Sequence, residues 1–477
     1  MNAPARQNPF FEPWTGPFEL PPFDRIRTED IKPAYERAMA EHDAEIAAIV
    51  ADPAPPAFDN TVTALERAGA AMNRVGAVFW NLTGTESTPE LQAIERELAP
   101  KLADHYSAIG LNEPLFRRVE AVWKQRDSLP LTAEQKRLLQ LTYDSFVRSG
   151  VLLPPEQKKR FAEIASRLAT LGAQFAQNIL KDEADWMMLL EESDLDGLSQ
   201  TLRDAAARAA ADRGHPGKFA ITLARSSVEQ FLTYSARRDL REKAFAAWIK
   251  RGEHDGPNDN RPIAAETLRL RDESARMLGY ETYAHFKLSD QMAKTPENVR
   301  ALLEKVWTPA KAAAARDRDE LQKLAAAEGG NFEIAAHDWR YYAEKLRKAK
   351  HDIDETEIRP YLDLDAVMGA AFDVAHKLFG LTFTERSDVA LYNPEARAFD
   401  VTNEKGEHVA LFIGDYFARP TKRGGAWMSG FRTQSKIDGK VVRPIVVNVL
   451  NCSKGAEGQK TLITLGDAKT LFHEFGH

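Results

Sequence analysis

The sequence is poor in cysteine, in excess positive charge and in long apolar runs. A single cysteine, Cys452, excludes an internal disulfide framework and any zinc site built from several thiolates. No stretch approaches the ~18 apolar residues a membrane span needs. Residues Met1 to Pro9 contain no apolar segment of the kind a signal peptide carries. Lys plus Arg number 64 against 71 Asp plus Glu, a formal charge of −7, so no basic surplus exists to neutralise a nucleic-acid backbone. Glycine pairs such as Gly329-Gly330 lack the pattern of a phosphate loop, which leaves nucleotide binding unsupported. The expectation is a cytoplasmic monomer that engages neither nucleic acid nor membrane.

What is present is material for a large helical protein. Hydrophobic residues make up 43% of the 477, enough for a sizeable core. Residues 8–23 are rich in proline and aromatics, including Phe10, Trp14, Phe18 and Phe23, and read as an arm packed on a larger body. Ile31, Tyr35, Met39, His42, Ile46 and Ile49 recur at steps of three and four, one face of a helix, with Pro33 expected in its first turn. Further stripes run through Leu91–Leu102, Phe161–Phe175 and Val299, Leu302, Leu303 and Val306. Near residue 390 the texture changes. Short strand-like runs at 396–401, 409–413, 426–428 and 445–449 are separated by Lys405-Gly406, Arg423-Gly424-Gly425 and Asp438-Gly439, the last a hairpin signal. The expected organisation is an N-terminal extended arm (1–25), a helical domain (26–390) and a region with a small sheet and a terminal helix (391–477).

That helix ends in His473-Glu474-Phe475-Gly476-His477, an HExxH pattern. Two histidines four apart lie on one helix face and can grip one metal through their ring nitrogens, for which zinc is suited. Glu474 can then take a proton from water activated by the metal and pass it to a leaving amine. Gly466-Asp467 is the expected N-cap, and Thr464, Leu465, Leu471, Phe472 and Phe475 the expected packing residues. The other nine histidines show no metal spacing and are expected to be structural or surface groups. Lys422-Arg423 reads as a solvated pair, and Cys452 as a buried small hydrophobe. Gly425, Ala426 and Trp427 are candidates for a strand edge that binds a peptide backbone. A tight turn leading into a core strand is the alternative.

The motif around Leu471–His477 resembles that of the thimet oligopeptidase family of zinc metallopeptidases. So do Asn8-Pro9-Phe10, Pro22-Phe23-Asp24, Phe58-Asp59-Asn60-Thr61, Asp290–Pro296, Leu378-Phe379-Gly380-Leu381, Gly424–Met428 and Asn448-Val449-Leu450-Asn451, which are similar to the peptidyl-dipeptidase Dcp branch. The resemblance implies a mostly α, two-lobed zincin-type enzyme with a deep channel and a small β-sheet beside the zinc helix. It also implies one zinc ion per chain and the release of C-terminal dipeptides from short peptides. An endo-acting oligopeptidase of the same family is the runner-up. The family's third zinc ligand, a Glu, and its oxyanion-stabilising groups lie downstream of HExxH, past His477. The expectation is therefore a fragment with an incomplete site, weak in zinc binding and inactive alone. A non-catalytic peptide-binding remnant is the alternative for such a chain.

Overall fold

The computed structural model describes residues 6–351, 355–455 and 458–477. Residues 1–5 of the expected arm lie outside this set. The rest of the arm is shaped by its prolines into short 3-10 turns at Pro9–Phe11 and Pro17–Glu19. Phe10 and Leu20 are buried in the largest core cluster, and Phe11, Trp14, Phe18 and Phe23 pack against it. Arg432 fastens the arm further through Glu19 and the carbonyl of Phe18.

The first long helix, Thr28–Ala51, buries Ile31, Tyr35, His42, Ile46 and Ile49, the face the periodicity predicts. Its start at Thr28 puts Pro33 in the second turn rather than the first. A proline there still forfeits a helical hydrogen bond, which the buried face on either side must offset. Helices Ala70–Thr85, Pro89–Gly110 and Pro155–Asp185 pack around it or on one another. The helix Pro296–Ala327 forms as its pattern predicts, but its apolar stripe is not core. Leu302, Leu303 and Val306 are 60–63% exposed. Periodicity dictates which residues share a face; it does not supply a neighbour to cover that face. Among the described residues no helix is long and apolar enough to cross a membrane.

Two sheets interrupt the helices. β1 (Met187–Leu190) and β2 (Phe219–Thr222) form an antiparallel pair inside the expected helical domain. Four residues per strand are too few for a period-two pattern to stand out. The second sheet holds β3 (Thr382–Glu385), β4 (Arg397–Thr402), β5 (His408–Phe417), β6 (Trp427–Arg432) and β7 (Ile445–Cys452) in the order β3-β4-β5-β7-β6. β5 and β7 are parallel and the other pairs antiparallel. The four expected runs all fall on strands. Asp438-Gly439 does not make a tight hairpin: Ile437–Gly439 is a 3-10 turn within the longer connection from β6 to β7.

Alternation sets the two faces of this sheet. Ile445, Val447 and Val449 of β7 join Phe79, Leu98 and Tyr35 in the core that includes the arm, so that core crosses residue 390. Leu450 and Cys452 point to the opposite face, beneath the helices Leu364–Phe379 and Leu465–Gly476. Cys452 is buried as expected, and burial pushes its thiol well above the usual range.

Candidate metal centre and substrate cleft

The helix Leu465–Gly476 is started by Thr464, not by Gly466-Asp467. The Asp467 amide donates to the Thr464 hydroxyl (3.0 Å), and the Asp467 carboxylate accepts from the Thr464 amide (3.1 Å). This reciprocal cap needs a hydroxyl at the N-cap and a carboxylate three residues on, and contributes ~1 kcal/mol. Leu471 is buried, and Phe475 enters an aromatic cluster with Phe372, Phe383 and Phe412 at centroid distances of 5.5–5.8 Å. Leu465 and Phe472, expected to pack, are exposed. The buried Asn448 side chain on β7 donates to the Glu474 carbonyl (2.9 Å), fixing the last turn of the helix against the sheet.

His473 and His477 project from the exposed side of this turn, while Glu474 faces the protein and is 7% exposed. The two Nε2 atoms are 3.1 Å apart and the rings nearly perpendicular. Two nitrogens bound at ~2.0–2.1 Å to a tetrahedral zinc lie about 3.3 Å apart, so the pair fits two corners of such a site. Among the described residues no group of three or more His, Cys, Asp or Glu is placed to hold a metal. The fit is that of two donors.

β6 is an edge strand of the five-stranded sheet. Its Met428 stands opposite Asn448, and Trp427 opposite Val449, so this edge runs beside the strand that anchors Glu474. Gly425 precedes it at φ +99°, a left-handed conformation that side chains rarely adopt, and its carbonyl accepts from Asn451 Nδ2 (2.7 Å). Ala426 packs against the core under the HExxH helix. The Trp427 ring lies against Gly84, with the Arg423 guanidinium 4.5 Å from its centroid. Trp427, Ser429 and Gly430 border a cleft of about 1690 Å³ that Trp80, Tyr106 and Gly172 also line and that no residue of the HExxH helix lines. Trp80 and Tyr106 are half exposed, a wall that no local motif announces.

Lys422 corrects the expectation of a solvated pair. Its ammonium is buried and donates to Asp415 Oδ1 (2.9 Å) and to the Phe417 carbonyl (2.9 Å). Burial pushes Lys422 down to about 8, while Arg419 and Lys422 hold Asp415 below the usual carboxylate range. Arg419 extends the cluster to Glu86 and the Thr85 carbonyl, tying the end of β5 to the helix Ala70–Thr85. Hydropathy reads a lysine as surface because the carboxylate that offsets its burial, Asp415 on β5, is reached only through the turn that follows that strand.

A mostly helical body with an HExxH helix laid on a small mixed sheet is the build of a metallopeptidase. Residues 231–477 match the model of peptidase family M3, and the chain belongs to that family. It is 37% identical over 472 residues to a dipeptidyl carboxypeptidase of Salmonella typhimurium, covering 98% of this chain and 69% of that one. It is 32% identical to an oligopeptidase A of the same organism, covering 96% and 68%. A solved structure of a putative oligoendopeptidase F aligns at 14% identity and a TM-score of 0.48, over 95% of this chain and 63% of that one. The chain thus spans about two thirds of the length of the proteins it matches.

Proposed function

We propose that the protein is a zinc-dependent peptidase that releases dipeptides from the C-termini of short peptides, with the site carried by residues 391–477. The observation that carries this is the exposed pair of Nε2 atoms 3.1 Å apart on a helix pinned by Asn448 beside an open strand edge. His473 and His477 would hold zinc, which when bound polarises a scissile carbonyl and makes water more acidic. Glu474 takes the proton of the attacking water and delivers it to the departing amine. The unpaired edge of β6 offers backbone N–H and C=O groups to an extended peptide, while Trp427 borders the cleft that receives its side chains. Greater identity to a dipeptidyl carboxypeptidase than to an oligopeptidase A supports exo action over endo action.

Two histidines are fewer than the three protein ligands usual at catalytic zinc. The 477-residue chain by itself is therefore expected to hold zinc weakly and to turn peptides over very slowly. Elemental analysis after dialysis, with mass spectrometry of peptides at high enzyme concentration, tests this. Residual cleavage should release dipeptides from a free C-terminus and stop when that terminus is amidated. Cleavage that survives amidation selects an endo-acting oligopeptidase. Tight stoichiometric zinc with fast turnover overturns the two-donor site, and no metal uptake or cleavage in excess zinc selects a non-catalytic peptide binder.

A further inference from the structure

The cleft that begins at β6 continues well beyond it. Gly76, Trp80 and Gly84 stand at steps of four on the helix Ala70–Thr85, so one helix face lines the cleft. The Trp427 ring rests at Gly84, where a Cβ would stand 3.3 Å from it. Eight residues at ~1.5 Å each carry the row back to Gly76, about 12 Å farther on. Tyr106 and Gly172 line the same cleft from the helices Pro89–Gly110 and Pro155–Asp185. We propose that the far end of this cleft is a subsite for an aromatic side chain of the peptide upstream of the cut bond, tyrosine above phenylalanine, with Trp80, Tyr106 and Tyr35 as its specificity-determining residues. This rests on the dipeptide-releasing function proposed above.

Three features of the far end point to such a ligand. Trp80 and Tyr106 are each 51% exposed and both line the cleft. Tyr106 is steadied from behind by the rings of His105 and His42, edge-on at 5.5 and 6.5 Å. Large aromatic faces left open favour a further ring against them. Second, Gly172 lies inside the 31-residue helix Pro155–Asp185, where glycine is a poor helix former. Nothing stands within 4 Å of the place its Cβ would take. No neighbour in the fold requires a glycine there, whereas a group seated in the cleft does. Third, Tyr35 is only 1% exposed, and its hydroxyl has no hydrogen-bond partner among the described residues. The Cβ that Gly76 lacks would stand 3.5 Å from that hydroxyl and 3.9 Å from the Trp80 ring, which leaves space above Gly76 for a ligand atom. Burial keeps the hydroxyl protonated, able both to donate and to accept. Leaving it unpaired is costly, and a phenol completes it where a phenyl ring cannot.

Direction follows from the reaction. No residue of the HExxH helix lines this cleft. Release of dipeptides leaves only two residues on the C-terminal side of the cut bond, so a site this far from the metal holds the part upstream of it. An extended chain advances ~3.3 Å per residue, which puts the aromatic residue about four positions before the one beside Trp427.

The test is peptide binding to the full chain without metal, followed by calorimetry, so that it does not depend on cleavage. Decapeptides of alanine and serine carry one tyrosine, moved from position to position. Affinity should peak about tenfold above that of the peptide without tyrosine, at one position upstream of the last two residues. Phenylalanine at that position should gain less, and leucine least. Trp80→Ala should remove the peak. Gly172→Leu, which fills the cleft, should remove it too, and as a gain in helix propensity it should leave the unfolding temperature unchanged or raised. Tyr35→Phe should keep the peak and make tyrosine and phenylalanine equal. A flat profile, a peak within the last two residues, or a peak that survives Trp80→Ala or Gly172→Leu overturns the subsite while peptide binding itself stands. Tyrosine still preferred in Tyr35→Phe overturns the part given to Tyr35. Binding of none of the peptides overturns the subsite together with the function on which it rests.

Discussion

Two histidine pairs in this protein bring ring nitrogens to nearly the same separation, 3.1 Å in His473–His477 and 3.0 Å in His42–His105. The first pair lies four residues apart on one helix and is exposed. The second joins the helices Thr28–Ala51 and Pro89–Gly110, and its members are only 9% and 8% exposed. Asp43 Oδ1 lies 3.4 Å from the other nitrogen of His105. Gly69, at φ +76°, closes over His42 so tightly that a Cβ there would meet the ring at 3.1 Å. Burial pushes both imidazoles of this pair below the ordinary histidine range, against the opposing pull of Asp43. Close approach of two imidazoles therefore does not by itself make a metal site. A buried pair spends its ring nitrogens on each other, and only the exposed pair leaves room for an ion and a substrate.

The largest expected effect that would break this contrast is on metal binding. His477→Ala should weaken zinc binding ~100-fold or more, beyond the 10–100-fold typical of losing a supporting residue. Competition with a chromophoric chelator measures it. The same change should move metal-free stability by no more than ~0.5 kcal/mol, because the ring is exposed. Next, His42→Ala should do the reverse. It strands a buried His105 nitrogen and should cost about 1–3 kcal/mol in denaturant unfolding, with zinc affinity unchanged. Loss of zinc in this variant would mean that the two pairs are coupled.

Asn448→Ala should cost about 1 kcal/mol through the lost bond to the Glu474 carbonyl. It should also loosen zinc several-fold by freeing the last helical turn, a positioning effect read by comparing both quantities in one protein. The smallest effect is a pH dependence. His42 and His105 titrate lower in the fold than the ordinary value of 6.5, so the unfolded chain takes up more protons as pH falls through that value. Metal-free stability should fall below about pH 6.5 and be flat above it from this source. His42→Asn should make the fall shallower. An equal slope in wild type and His42→Asn would assign the dependence to other groups.

The same distinction runs through the fold. The stripe Ile31–Ile49 and the strand runs after residue 390 were legible because each is a local repeat whose burial follows from its period. The stripe through Leu302 and Val306 was equally legible as a helix and misleading about burial, since these side chains stay exposed. β1 and β2 were hidden by shortness. The cap at Thr464 was hidden because Gly466-Asp467 also offers a carboxylate, and only the reciprocal bonds decide between them. Lys422, Trp80 and the His42–His105 pair left no local signal, because their partners are distant in the chain or, for Lys422, across a turn whose path is not written in the pattern.

By itself the sequence determined the helices of strong period, the strand-rich end and the placing of His473, Glu474 and His477 on one helical turn, because all of these follow from spacings of a few residues. Tertiary structure alone decided which imidazoles face solvent, which strand is left as an edge beside the HExxH helix, and which lysine is buried against a carboxylate. Those outcomes depend on what packs against each group, and solvent access and compensation of charge are properties of the surroundings rather than of the residue.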